Sequence, residues 1–363
     1  MQQPTRRAVL AGGTTLLAAA LAGCGQTSGA NSRPSAPASP TPSTSDHPDQ
    51  ASRASGQDRA NQPATPFPVK IANVFGTTTI GSAPRVVYSL GYTDHDPLMA
   101  LGILPVAITR WFPAYAIGPW AKKARRALSG PDPAVVTDTD GIGFEKVAAA
   151  DPDLISSYYS GLEKKDYQTL SAIAPTVTRP PKAVAWQATW DGQLHTLGKA
   201  VGKSELAERL ADRVRKDFAT TKAAHGQLVG KTLSLCLPNT DGGGVYVYTT
   251  LDGRYHAMQE LGVKLPPGVA KLPGAGKQWN LSVAAEQYTK LDADLIGVIV
   301  QTDEQREALE KDKVWNQVPA VKDGRVVYIP VDPYGYALSF NTVLSLPFAI
   351  RHIAAMFSKV LSG

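Results

Sequence analysis

Two Rossmann-like α/β lobes with mainly parallel sheets, joined by a single long helix, are the fold that this sequence predicts. Three observations lead there. From Phe67 onward, short β-rich runs alternate with helical patterns, the signature of βα units feeding a parallel sheet. A helix-strand phrase then recurs, because Glu145-Lys-Val-Ala-Ala-Ala-Asp-Pro-Asp-Leu-Ile returns as Glu286-Gln-Tyr-Thr-Lys-Leu-Asp-Ala-Asp-Leu-Ile. Between the two halves, residues 204–225 contain no glycine or proline and place Leu206, Leu210, Val214 and Phe218 every four residues.

In the first half, strands are expected at 86–90, 105–109 and 154–158, with helices at 94–101 and 144–150. The second half has strand patterns at 233–237, 245–249, 295–300 and 325–329. The repeat aligns Glu145 with Glu286, Asp151 with Asp292, Asp153 with Asp294, Leu154 with Leu295 and Ile155 with Ile296. Leu101-Gly102 and Leu261-Gly262 precede it in each half, and Ala174-Pro175-Thr176-Val177 and Val318-Pro319-Ala320-Val321 follow it. The connecting helix, about 33 Å long at 1.5 Å per residue, would bridge the lobes as a stiff beam, with Gly226 placed to stop it.

Before the lobes, the chain addresses export. Arg6 and Arg7 precede an apolar stretch, residues 8–23, too short to span a bilayer but suited to a signal peptide of the twin-arginine type. It closes with Leu21-Ala22-Gly23-Cys24, which resembles the bacterial lipobox and makes Cys24 the expected lipidated N-terminus. Residues 25–66 are rich in Ser, Pro, Ala, Thr, Gln and Gly, a composition that cannot repay its ordering entropy and reads as a tether. The expected organisation is a signal peptide at 1–23, lipidated cysteine and tether at 24–66, an N-terminal lobe at 67–202, the helix at 203–226 and a C-terminal lobe at 227–363.

Composition excludes several classes. The 363 residues are 43% hydrophobic and 19% charged, enough for a sizeable core. A net charge of +6 without a basic run gives no nucleic-acid surface, and two cysteines make neither a disulfide framework nor a cysteine zinc site. The six histidines lack His-x-x-x-His spacing. Asp94-His95-Asp96 resembles a metal cluster, but Thr93 with Asp96 reads better as an N-cap and acidic first turn. Gly242-Gly243-Gly244 lacks the Lys-Ser or Lys-Thr of a phosphate loop and, lying between two strand patterns, reads as a hairpin or a mobile loop. Cys236, in an apolar strand, reads as buried filler. There is no Gly-x-Ser-x-Gly elbow, so neither catalytic residues nor a metal site is expected.

The globular part resembles the substrate-binding lipoproteins of ABC importers for ferric siderophores, heme and cobalamin, most closely the actinobacterial iron-siderophore branch. The words carrying the resemblance are Gly91-Tyr92-Thr93-Asp94-His95-Asp96 running into Ala100-Leu101-Gly102-Ile103-Leu104-Pro105-Val106, Gly141-Ile142 with Glu145, Ile173-Ala174-Pro175-Thr176-Val177, and Leu338-Ser339-Phe340 with Leu344-Ser345. The resemblance implies capture of a ferric siderophore, with iron bound only inside that ligand and no cofactor. It also implies a monomer, lipid-anchored on the outer face of the cytoplasmic membrane, that delivers to a permease dimer. A heme or cobalamin binder of the same fold, or a structural or sensory envelope lipoprotein, are the alternatives.

Aromatics gather after the carboxyl ends of strands, where open α/β sheets bind ligands. Tyr92, Trp111, Tyr158, Tyr159, Trp279, Tyr334 and Tyr336 are the candidate ligand-contacting rings. Family comparison favours Trp279, the Tyr158-Tyr159 pair and Tyr334. Arg110 and Arg254 are candidates to pair with an anionic chelate. The resemblance gives Glu145 and Glu286 the role of meeting arginines on the two permease subunits.

Overall fold

An N-terminal hairpin of β1 (Val69–Asn73) and β2 (Gly76–Ile80) leads into the first lobe. The computed structural model describes residues 65–139, 141–187, 189–240 and 243–362; the signal segment, Cys24 and nearly all of the tether lie outside them. Five parallel strands build the lobe: β3 (Val87–Ser89), β4 (Ala107–Thr109), β5 (Ala134–Val136), β6 (Leu154–Ser157) and β7 (Thr176–Thr178), in the order β5-β4-β3-β6-β7. Every residue of β3, β4, β6 and β7 is buried, as expected for a parallel sheet covered on both faces.

The second lobe keeps that spatial order but not its direction. Strands β8 (Leu233–Pro238), β9 (Val245–Tyr248), β10 (Asn280–Val283), β11 (Leu295–Val300) and β12 (Val326–Pro330) lie as β10-β9-β8-β11-β12. Here β8, β11 and β12 are parallel, whereas β9 is antiparallel to both β8 and β10. The sheet is therefore mixed, because a hairpin replaces the helical crossover that joins β3 to β4. Gly244 makes the hairpin possible: its φ is +80°, and a Cβ there would collide with the Val283 carbonyl.

The sequence repeat has a structural counterpart. Asp153 Oδ2 accepts the backbone N–H groups of Arg85 and Val86 at 2.8 and 2.9 Å. Asp294 Oδ2 accepts from the N–H and hydroxyl of Thr232, both at 2.8 Å. Each aspartate thus ties the start of the strand preceding it in the sheet, β3 or β8. Gly102 and Gly262 both follow a helix end with positive φ, +82° and +98°. The third match is not structural, since Thr176–Thr178 is a strand and Pro319–Lys322 is a short helix.

The connecting helix spans Ser204–Ala224, with His225 rather than a left-handed glycine at its end. Its buried stripe is Ala207, Ala211, Val214, Phe218 and Thr221, so Leu206 and Leu210 flank it half-buried. Small residues take the centre because the helix Trp190–Ala200 presses close; a Cβ on Gly198 would clash with Ala207. A second long helix, Ser345–Ser362, packs against the connecting helix and buries Leu346, Ile350, Ile353 and Phe357. One apolar core runs from Val87 and Leu98 of the first lobe, through Ala211 and Val214, to Leu235, Ile299 and Phe357 of the second. Residues Pro63–Gly363 accordingly form one unit.

Candidate functional site

The first lobe's side of the site is organised by one carboxylate. Asp94 Oδ2 accepts the N–H of Tyr158 at 2.7 Å, while Oδ1 accepts the N–H of Tyr159 at 3.0 Å and Nε2 of Gln193 at 2.8 Å. The loops after β3 and β6 are thereby locked together, and Gly91 is required because a Cβ there would strike this carboxyl group. Thr93 accepts from Gln193 at 3.0 Å, and no side chain caps the helix His95–Ala100. The expected Thr93–Asp96 capping is replaced by tertiary hydrogen bonds, because this helix start is fully buried and Thr93, Asp94 and Asp96 Oδ2 take partners from other segments, while the His95 ring and Asp96 Oδ1 are buried without a hydrogen bond.

The rings set by these loops form a continuous wall. Trp186 stacks on Tyr92 at 5.3 Å, Tyr92 on Trp111 at 5.9 Å and Trp111 on Phe112 at 4.4 Å. Phe112 meets Tyr336 of the second lobe at 4.2 Å, and Tyr159 fits between Trp111 and Trp186. The Tyr92 hydroxyl donates to Asp138 at 2.8 Å.

Across from this wall, the second lobe contributes the turn after β9 and the residue before β10. Thr249 N–H donates to the Trp279 carbonyl at 3.0 Å, placing Trp279 beside Tyr248 at 6.4 Å. Asp252 caps the helix Gly253–Glu260 by accepting the Arg254 N–H at 2.8 Å. The Arg254 side chain folds back on the same carboxylate, with Nε to Oδ1 at 2.8 Å and Nη2 to Oδ2 at 2.7 Å. Its guanidinium lies 4.0 Å from the Tyr248 ring centre and 5.7 Å from that of Trp279. Burial works against this charge, but Asp252 outweighs it and holds the arginine above its ordinary pKa. Burial raises the hydroxyls of Tyr159 and Tyr248 to about 12, so both remain neutral donors.

Between these sides lies a cavity of about 240 Å³. Tyr159, Trp186, Gln187, Thr189 and Trp190 line it from the first lobe, and Thr250, Leu251, Asp252, Gly253, Arg254, His256 and Trp279 from the second. Ser339 and Asn341 close it from the segment after β12. That segment is also an interlobe clasp. Asn341, at φ +51°, donates to the Gly253 carbonyl at 2.6 Å, and Thr342 donates to Asp96 of the first lobe at 2.6 Å. Trp120 Nε1 donates to the same Asp96 oxygen at 2.8 Å.

Of the nine rings and arginines expected from sequence, Tyr159, Arg254 and Trp279 reach the cavity lining. Tyr92, Trp111 and Tyr336 belong to the adjoining aromatic wall. Tyr158 points inward beside Thr196, Tyr334 stacks on Phe348 and His352 of the last helix, and Arg110 is exposed. Glu145 and Glu286 are exposed at the starts of helical turns, Glu286 on a 3-10 rather than an α turn.

With this geometry, sequence comparison becomes decisive. A match to the periplasmic binding protein family extends over residues 89–333. The chain belongs to that family. Among curated relatives, this periplasmic binding protein is 26% identical to YhfQ of Bacillus subtilis (strain 168), named as an ABC transporter substrate-binding lipoprotein, over 74% of this chain and 83% of YhfQ. Among solved structures it is similar to a periplasmic solute binding protein of Mycobacterium smegmatis, with 31% identity, a TM-score of 0.70, and coverage of 81% of this chain and 98% of that one. It is also similar to PiaA of Streptococcus pneumoniae TIGR4, solved in complex with ferrichrome, at 27% identity and TM-score 0.71, covering 81% and 99%.

Two lining tryptophans of this periplasmic binding protein escaped sequence reasoning. Trp186 has φ +66° and 42% exposure on the segment joining β7 to the helix Trp190–Ala200; Trp190 opens that helix behind the Thr189 cap. The available signal was a pair of tryptophans four residues apart on either side of Thr189, a residue type that caps helix starts. Burial raises the pKa of the Cys236 thiol, and no group of three or more His, Cys, Asp or Glu side chains suited to a metal occurs among the described residues. No described helix is long and apolar enough to cross a membrane.

Proposed function

We propose that this chain is the extracytoplasmic lipoprotein of an iron importer, binding a ferric siderophore in the interlobe cavity and delivering it to an ABC permease. The observation that carries the proposal is the cavity itself: tryptophan and tyrosine rings contributed by both lobes around an arginine and an aspartate that are already paired with each other. Such a lining suits the capture of a bulky, largely apolar-faced ligand. Similarity to PiaA, solved with ferrichrome, supports the same ligand class. The shared core and interlobe clasp support capture with little lobe movement. Iron enters inside its chelator, the protein needs no cofactor, and Cys24 carries the lipid that holds a monomer on the outer face of the membrane.

Titration of intrinsic tryptophan fluorescence tests the reading. Ferric chelates should quench saturably while iron-free chelators, heme and cobalamin do not. Absence of quenching by every ferric chelate, or preference for heme, overturns it. Trp279→Ala should weaken the best ligand by roughly 1–3 kcal/mol without lowering the melting temperature, as for an aromatic anchor that is 39% exposed before binding.

A further inference from the structure

The charge of Arg254 is spent inside the protein, and this limits what the cavity can take. Nε and Nη2 both lie on Asp252, whose Oδ1 also holds the Arg254 N–H at the helix start. The remaining nitrogen, Nη1, is 3.5 Å from Ser339 Oγ, and the planar face is against Tyr248. Side-chain exposure is only 17% for Arg254 and 6% for Asp252. For the arginine to turn toward an anion, it would have to leave a carboxylate buried and unpaired, which is strongly unfavourable. Among the described residues lining the cavity, Asp252 and Arg254 are the only aspartate, glutamate, lysine or arginine, so their formal charges cancel.

We infer that the cavity selects metal chelates of zero net charge, of the ferric tris-hydroxamate class, and rejects polyanionic chelates. The inference rests on the proposed siderophore binding and narrows it. Three singly charged hydroxamates cancel the ferric charge, whereas three doubly charged catecholates leave a net charge of minus three. A trianion entering this site gives up hydration and meets no unpaired lysine or arginine among the described lining residues, which leaves His256 as the one ionisable group there outside the Asp252–Arg254 pair and Tyr159. A neutral chelate gives up little and gains the faces of Trp279, Tyr159 and Trp186. Asp252 is therefore a specificity-determining residue, acting through Arg254.

The test compares ferrichrome with a ferric tris-catecholate by tryptophan quenching of the full chain, at low and high ionic strength. The wild type should prefer ferrichrome by about tenfold or more, with ferrichrome affinity insensitive to salt. Asp252→Asn frees the guanidinium charge and should strengthen tris-catecholate binding by about tenfold, in a salt-sensitive manner. Should that variant fail to fold, Asp252→Asn with Arg254→Gln removes both charges; it should bind both ligands more weakly yet keep the preference for ferrichrome. If the wild type binds the tris-catecholate as tightly as ferrichrome, the charge inference is overturned and siderophore binding stands. If it binds neither chelate, siderophore binding itself falls and the inference with it.

Discussion

The two lobes share a strand order and an aspartate that ties the sheet together, yet they build their halves of the cavity in different ways. In the first lobe, parallel strands β3, β4 and β6 present their carboxyl-end loops together, and Asp94 locks two of those loops through neutral donors. In the second, β9 runs antiparallel, and the site comes from the turn after it, where Asp252 meets an arginine. Repetition thus preserved what holds each sheet and released what faces the ligand. A carboxylate facing N–H and amide groups fixes backbone; a carboxylate facing a guanidinium fixes charge.

The largest effect should come from Asp94→Ala. It leaves the Tyr158 and Tyr159 N–H groups and Gln193 buried without their acceptor, and each lost partner costs about 1–3 kcal/mol. A loss of roughly 3–5 kcal/mol in urea unfolding is expected. A loss below about 1 kcal/mol would mean that the first lobe does not depend on this single anchor.

The clasp between the lobes gives the next largest effect, through pH. Burial lowers His95 from 6.5 to about 4 and raises its neighbour Asp96 from 3.8 to about 7. The depressed histidine stabilises the fold above its unfolded pKa and loses that contribution as pH falls toward 4. The raised aspartate stabilises below its unfolded pKa and loses that contribution as pH rises through 7. Between about 4 and 6.5, folding strips a proton from one group and adds one to the other, so their combined slope is close to zero. His95→Gln should leave Asp96 alone and make stability climb by up to about 1.4 kcal/mol per pH unit on acidification from 7 to 4. Asp96→Asn should reverse that slope below 6.5. Parallel stability curves for wild type and both variants would show that the pair does not titrate as its burial requires.

Asp153 and Asp294 offer a smaller and symmetrical test. Each accepts two hydrogen bonds at a strand start, and those bonds hold both carboxyl groups below the usual range. Either aspartate changed to alanine should cost roughly 1–2 kcal/mol, with the difference vanishing as pH falls through the depressed pKa. Unequal losses, large in one lobe and absent in the other, would break the structural equivalence of the repeat.

That equivalence shows how far the sequence could be read. Strand β11 lies within its expected bounds, and β3, β6, β8 and β9 within a residue or two, because buried apolar runs ended by Gly, Pro or Asp leave few alternatives. The Asp-x-Asp-Leu-Ile phrase found the tie between strands because one local constraint recurs in both lobes. Strand direction was not legible: β9 has the same apolar pattern whether parallel or antiparallel, and only the hairpin glycines hinted at reversal. The lining was half legible. Arg254 stands near a helix start, but its partner is two residues away and reads as an ordinary N-cap; Trp279 directly precedes β10, a four-residue strand that none of the expected strand patterns covers. Neither the connecting helix's small-residue stripe nor the clasp through Thr342 has a one-dimensional signature, since each depends on what packs opposite.

The smallest effect on the protein itself is expected where the lobes are again alike at the surface. Glu145 and Glu286 are both exposed in the first turn of a helical segment, each leading toward a buried central strand, β6 or β11. At a helix start a carboxylate contributes about 0.3–1 kcal/mol, and less for Glu286, whose 3-10 turn has a weaker aligned dipole. Within the proposed function these are the two charges that orient the protein on its permease, fixing registry more than raw affinity. Glu145→Arg combined with Glu286→Arg should therefore change the melting temperature by only a degree or two and leave chelate quenching unchanged, while abolishing uptake in cells and stimulation of the transporter's ATPase. Each single reversal should give an intermediate defect if both lobes dock, and reversal of one lobe alone should abolish uptake if that lobe carries the contact. Uptake at the wild-type rate in the double variant removes the docking role and leaves the two glutamates as helix-end charges.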